Sequence, residues 1–183
     1  LNLKNTALSL KKINWKAGLG VKWTENDNDE FIMTSQNIIE QSKKFLTDTN
    51  YEADMAVNFI LGEDNEAGKN ITDGLDKVFK DLQSQIEEKS SKINIILKKD
   101  GILSPDEQKK VNKLTEEITE ITNKVSKARL DAENQAQLDF LSIKYNGSDL
   151  DYRSYNKLQE EIAMNKESFV ERNKEAFIEA KSK

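Results

Sequence analysis

Histidine and cysteine are absent from the 183 residues, proline occurs once, glycine seven times, and aromatic residues make up only 7 %. Without His or Cys the usual zinc, haem, iron–sulfur and blue-copper sites cannot be assembled, and serine or cysteine nucleophiles lose their commonest base. No cofactor is expected. Disulfides are excluded as well, so the residues do not identify a redox compartment. Long hydrophobic runs are also missing: stretches such as Val57 with Phe59-Ile60-Leu61 fall far short of the roughly 20 residues that cross a bilayer, so membrane insertion by this segment is not expected. Nor is there a charge surplus of the sign that holds phosphates. With 28 Lys+Arg against 33 Asp+Glu, net −5, the chain is weakly and evenly acidic, which argues against sequence-specific nucleic-acid binding. It begins with leucine and has no basic-then-apolar leader, the expectation for a processed product or a portion of a longer chain.

What the sequence has is charge in periodic register. About a third of the residues are charged and 36 % are hydrophobic, a balance suited to long solvated helices with a thin core. Apart from Gly101 and Gly147, all glycines lie within the first 74 residues. Because glycine costs about 1 kcal/mol inside a helix, the glycine-poor remainder reads as helix, turn, helix, turn, helix.

The first of these helices is expected over about 73–99, with Leu75, Phe79, Leu82, Ile86, Ile93 and Ile96 stepping by four and three and Lys89 filling one seam position; that is a heptad stripe. The second, over 105–144, carries Val111, Leu114, Ile118, Ile121, Val125, Ala128 and Ala132, after which the stripe drifts onto Ala136, Phe140 and Ile143. At 1.5 Å per residue it would be roughly 60 Å long. The third, over 150–181, presents Tyr155, Leu158, Ile162, Phe169 and Ala176, with Asn165 and Arg172 at intervening positions. These seams serve either internal packing of one chain or the joining of copies.

Residues 1–72 are less regular. Ile13, Trp15, Leu19, Val21 and Trp23 alternate with Lys16 and Lys22 around Gly18 and Gly20, a period of two that predicts a short β-hairpin or extended arm. Two short helices are expected at about 29–47 and 51–61, followed by a polar loop over 62–72. Trp15 and Trp23 are candidate partner contacts, since aromatic anchors dominate interfaces; packing onto the chain's own helices is the competing reading.

Three local patterns invite a chemical reading. Against a calcium-loop template, Asp100, Gly101, Leu103 and Glu107 fall at positions 5, 6, 8 and 12, but the first two ligand positions are Ile96 and Lys98, so the oxygen ligands for tight calcium binding are lacking. The same residues form an interhelical turn: Ser104 accepts from the Glu107 backbone N–H while Glu107 reaches back, and Pro105 takes the first helical position, where its missing N–H costs nothing. Asn146-Gly147 supplies a second helix end, and Ser148 or Asp149 a cap for the next. The acidic clusters at 26–30 and 63–66 lack the shielding pocket that would separate two carboxylate pKa values and read as solvated loops with capping carboxylates.

The order of these parts resembles a segment of tail tape measure proteins from phages and phage-derived particles of Gram-positive bacteria. The resemblance rests on Ile13-Asn14-Trp15-Lys16-Ala17-Gly18-Leu19, on Phe59-Ile60-Leu61-Gly62 with its acidic loop, and on Asp100 through Glu107. It continues in Lys144-Tyr145-Asn146-Gly147-Ser148-Asp149-Leu150 and Tyr155 through Glu161. It implies a structural, non-enzymatic role in a virion tail, as an elongated helical multimer whose length sets tail length. The partners it implies are the tail tube and the tail-tip hub, in a homo-oligomer that symmetry matching would make a trimer or hexamer. Membrane-active apolar segments and peptidoglycan hydrolase domains, which several such proteins carry, have no counterpart here, and no catalytic residue transfers.

The expected fold is thus mainly α, an elongated helical hairpin or coiled-coil-like bundle with a small N-terminal arm, divided into an N-terminal region (1–72) and a long helical region (73–183). The alternative function is an exported surface lipoprotein or adhesin on the bacterial cell surface, using the same bundle to bind a host ligand. A carboxylate-and-metal enzyme is the remaining class, for which no site assembles.

Overall fold

The computed structural model describes residues 3–146, 152–164 and 169–175, and every regular element among them is an α-helix. In chain order these are α1 (Leu3–Gly18), α2 (Glu25–Leu61), α3 (Glu66–Leu97), α4 (Pro105–Asn146), α5 (Tyr152–Met164) and α6 (Phe169–Arg172). The mainly α bundle expected from apolar periodicity is therefore present. The bridging residues at 147–151, with the caps expected at Gly147, Ser148 and Asp149, lie outside the described residues, as do Asn165, Ala176 and the side chain of Leu158.

The expected arm or β-hairpin is not formed. Residues 13–18 belong to α1, and 21–24 are irregular, with no strand among the described residues. The alternation from Ile13 to Trp23 is coincidental: Leu3, Leu10 and Ile13 are the buried positions, a helical spacing that reaches back before the alternating stretch begins. Gly20, at φ 75°, ends the helix in the left-handed region that a side chain would strain.

Two other boundaries shift. One helix, α2, replaces the two expected at 29–47 and 51–61, because the buried series Phe31, Ser35, Ile38, Ser42, Leu46, Thr49, Ala53 and Ala56 continues through the polar stretch near residue 50. Small hydroxyls hide in this stripe because each bonds its own helix: Ser35 Oγ donates to the Phe31 carbonyl (2.8 Å) and Ser42 Oγ to that of Ile38 (2.7 Å). The polar loop expected over 62–72 shrinks to 62–65. Gly62 (φ 92°) closes α2, and the Asn65 side chain accepts from the Gly68 N–H at 3.2 Å, so α3 starts early.

The helices pack into two units, one of Leu1–Thr47 with Lys80–Lys124, the other of Asp48–Phe79 with Val125–Lys183. This partition runs across the helices, not at residue 72. The first unit holds one contiguous core of Leu3, Leu10, Ile13, Phe31, Ile38, Ile39, Ile93, Leu97, Leu103, Val111 and Ile118. Each such side chain contributes about 1.5–3 kcal/mol on leaving water.

Candidate functional site

The seam residues are consumed inside the chain. Leu75, Phe79, Leu82, Ile86, Ile93, Val111, Ile118, Ile121 and Val125 are all buried, Ile162 is at its margin, and Leu114 packs half-buried against the first unit's core. Tyr155 and Phe169 are half-buried, the latter with its ring 5.8 Å from that of Phe59. The drift after Gln135 ends differently from the expected stripe: Ala136 and Leu141 turn inward while Phe140 and Ile143 remain exposed. Lys89, the charged seam position, bonds Glu117 at 2.8 Å, and that hydrogen bond holds the Glu117 carboxyl below its ordinary range.

The turn at Asp100 through Glu107 is a capped and tethered junction. Gly101 adopts φ 90°. Glu107 accepts from the Ser104 N–H at 3.0 Å, and Ser104 Oγ accepts from the Glu107 N–H at 3.2 Å, the reciprocal capping box. Lys99 adds an ion pair at 3.1 Å. The Ser104 backbone bond, followed by the Lys99 and Ser104 side chains, lowers the Glu107 pKa. The Glu107 carboxylate is thereby engaged in the turn. A second box starts α2, where Asp27 accepts from the Thr24 N–H and Thr24 Oγ1 accepts from the Asp27 N–H. These bonds lower the Asp27 pKa, the Thr24 backbone contributing most. The acidic cluster at 26–30 is thereby a cap.

Two buried amides, which the sequence pattern does not single out, complete the junction. Asn28 Oδ1 accepts from the Leu103 N–H at 3.0 Å, and Gln108 Nε2 donates to the Leu103 carbonyl at 3.1 Å. Together they satisfy the backbone of a loop residue that is itself in the core. Asn28 lies 75 positions from its partner, and no local pattern announces such a pairing.

The two tryptophans part company. Trp23 is half-buried against the core, edge-on to Phe31 with ring centroids 5.9 Å apart. Trp15 is 65 % exposed on α1. Only Trp15 is presented outward.

The second unit concentrates polar groups that the spacing of apolar residues did not reveal. Arg129, on α4, lies 3.6 Å from Glu52 of α2 and 3.4 Å from Glu171 of α6. One helical turn on, the fully buried Glu133 accepts from the Phe169 N–H at the start of α6. This fastens α6 at its N-terminus, where an acceptor is needed. Nearby in the sequence, burial pushes the Asp54 carboxyl up to about 7, with the charge and hydrogen bonding of Asp76 and the charge of Asp73 adding to it. These carboxylates do not form a metal centre: among the described residues no group of three or more His, Cys, Asp or Glu could hold an ion. An open groove of about 510 Å³ runs beside Phe140, Leu141, Ile162 and Met164, edged by Glu161 and Arg172. Among its described lining residues the polar groups are Gln137, Glu161 and Arg172. No described helix is long and apolar enough to cross a membrane. No protein-family model, curated protein or solved structure matches the chain.

Proposed function

We propose that the chain works as a structural helical bundle, and specifically as a tape measure segment of a phage or phage-derived tail that contacts the tail-tip hub. The supporting observation is that three of the sequence blocks carrying the resemblance coincide with helix ends. Ile13 through Leu19 closes α1, Phe59 through Gly62 closes α2, and Asp100 through Glu107 joins α3 to α4 through a capping box. A likeness in such blocks is a likeness in where helices stop, and hence in layout. The proposed mechanism is mechanical: side chains buried on internal stripes hold the helices in fixed register, and the charged outer faces keep the bundle from adhering along a tube wall. Assembly of trimers or hexamers then falls to surfaces outside the buried seams.

The test is genetic and microscopic. In the particle that carries this sequence, antibody against the bundle is expected to label disrupted tails, and in-frame removal of the bundle is expected to shorten the tails or abolish their assembly. Tails of unaltered length, number and infectivity after removal would defeat the proposal. A second reading, a surface protein binding a host ligand, draws on the outward Trp15; labelling of intact, phage-free cells by the same antibody would favour it.

A further inference from the structure

Helix α1 has two apolar faces. One, formed by Leu3, Leu10 and Ile13, is built into the core. At about 100° per residue, Leu8 and Trp15 project on the opposite side, continued past the helix end by Leu19. These three are 52 %, 65 % and 61 % exposed, an unusual display for large apolar side chains in one short segment. The same helical geometry sets Lys4 and Lys11 along one flank of this strip and Lys12 and Lys16 along the other. Lys22 follows, and no acidic residue precedes Glu25. All 33 acidic side chains of this net-acidic chain therefore lie in the remainder. The even spread of charge noted above holds for long windows and conceals a basic helix. Of the four helical lysines, Lys11 approaches Glu116 at 3.7 Å, both side chains well exposed, an ion pair weak enough to exchange for another anion. Beside the strip lies an open groove of about 420 Å³ lined by Lys4, Leu8 and Lys11 of α1 and by Thr119 and Thr122 of α4.

We propose that the outward face of α1 docks on anionic lipid bilayers, with its lysines against the headgroups and Trp15, Leu8 and Leu19 at the headgroup–acyl boundary. An apolar strip flanked on both sides by lysines is the arrangement of a helix lying in the interface plane: the stems rest on apolar surface and the ammonium groups reach phosphate. Tryptophan prefers that boundary, since its ring is apolar and its indole N–H is polar. Four or five clustered lysines are enough to make adsorption depend on anionic lipid. The acidic remainder does not prevent it, because at physiological ionic strength screening confines the interaction to charges within about 8 Å of the headgroups. Duplex nucleic acid suits this face less well: its centre is hydrophobic, and it lacks the arginines that fork onto phosphates and bases. The mode is adsorption by one fastened helix and requires no spanning segment. This proposal is independent of the tail assignment, and either can fail alone.

The full chain is to be floated with vesicles of phosphatidylglycerol and phosphatidylcholine, and separately with phosphatidylcholine alone. Binding is expected only to the first, falling steeply between low and high salt. In a Trp23→Phe background, the emission of Trp15 is expected to shift to the blue on the same vesicles. Lys4→Gln, Lys12→Gln and Lys16→Gln are each expected to weaken binding roughly five-fold, and Trp15→Ser to weaken it further, all with unchanged circular dichroism because these side chains are exposed. Lys77→Gln, an exposed lysine of the second unit, is expected to have little effect. Any of four results would overturn the proposal: no flotation with anionic vesicles, equal flotation with both kinds, equal sensitivity to Lys77→Gln, or an unshifted Trp15. So would finding that the face is taken by another occupant, seen either as concentration-dependent self-association abolished by Trp15→Ser or as tighter, lysine-dependent binding to duplex DNA.

Discussion

The unit of residues 1–47 and 80–124 is filled by Phe31, Ile38, Ile93, Val111 and Ile118, whereas the unit of 48–79 and 125–183 combines Val57, Leu75, Phe79 and Val125 with buried alanines at 53, 56, 132 and 136 and the buried carboxyl of Glu133. Large side chains in the first interlock and are held mainly by expulsion of water. The second adds to its apolar core a set of directed bonds between helices: Arg129 to Glu52 and Glu171, and Glu133 to the start of α6. In the first unit the buried hydroxyls of Ser35, Ser42 and Ser90 bond their own helices, while charged groups reach across to other helices in both units, Lys89 to Glu117 in the first and Arg129 to Glu52 in the second.

Four substitutions sharpen this contrast. The largest loss is expected for Phe31→Ala, about 3–5 kcal/mol by urea denaturation, because a fully buried ring leaves a cavity in interlocked surroundings. Glu133→Ala is expected to cost about 1–3 kcal/mol by removing the acceptor for the Phe169 N–H, with the fastest gain in hydrogen exchange at residues 169–172. An equal gain throughout the first unit would contradict the separate-unit picture.

Asp54→Asn tests the pH dependence. Its folded pKa is raised to about 7, so the folded state holds a proton that the unfolded chain releases near 4. Stability from this group is therefore greatest at acid pH, falls as pH rises from about 4 to 7, and is flat above that. Asp54→Asn is expected to stabilise by about 1–2 kcal/mol at pH 8, a value reduced for partial solvent access, and by little at pH 4. A substitution effect independent of pH would count against the raised Asp54 pKa. The smallest change, about 1 kcal/mol, is expected for Ser104→Ala, which removes one half of the capping box at the start of α4; thermal unfolding measures it.

Much of the architecture was legible because three- and four-residue apolar steps have one simple solution, a helix buried on one side. Leu75 through Val125 behaved accordingly, and the Ser104–Glu107 box was readable because its partners are three residues apart. An arm is suggested by a few alternating apolar residues around two glycines that fit a strand locally, while the helix that takes in Ile13 and Trp15 extends back to Leu3. The basic face of α1 is hidden for a related reason: lysines spaced around a helix are diluted when charge is summed over long segments.

By itself the sequence determined that the chain is helical, where the α3–α4 turn falls, and that His- or Cys-dependent chemistry is excluded, since these follow from residue type and short spacing. Only the tertiary structure decided that the seams close within one chain, that Asn28 holds Leu103, that Trp23 turns inward and Trp15 outward, and that burial raises the Asp54 carboxyl. Each of these depends on groups distant in sequence meeting in space, and the free energy of such meetings comes from shared burial and directed bonds that no local pattern encodes.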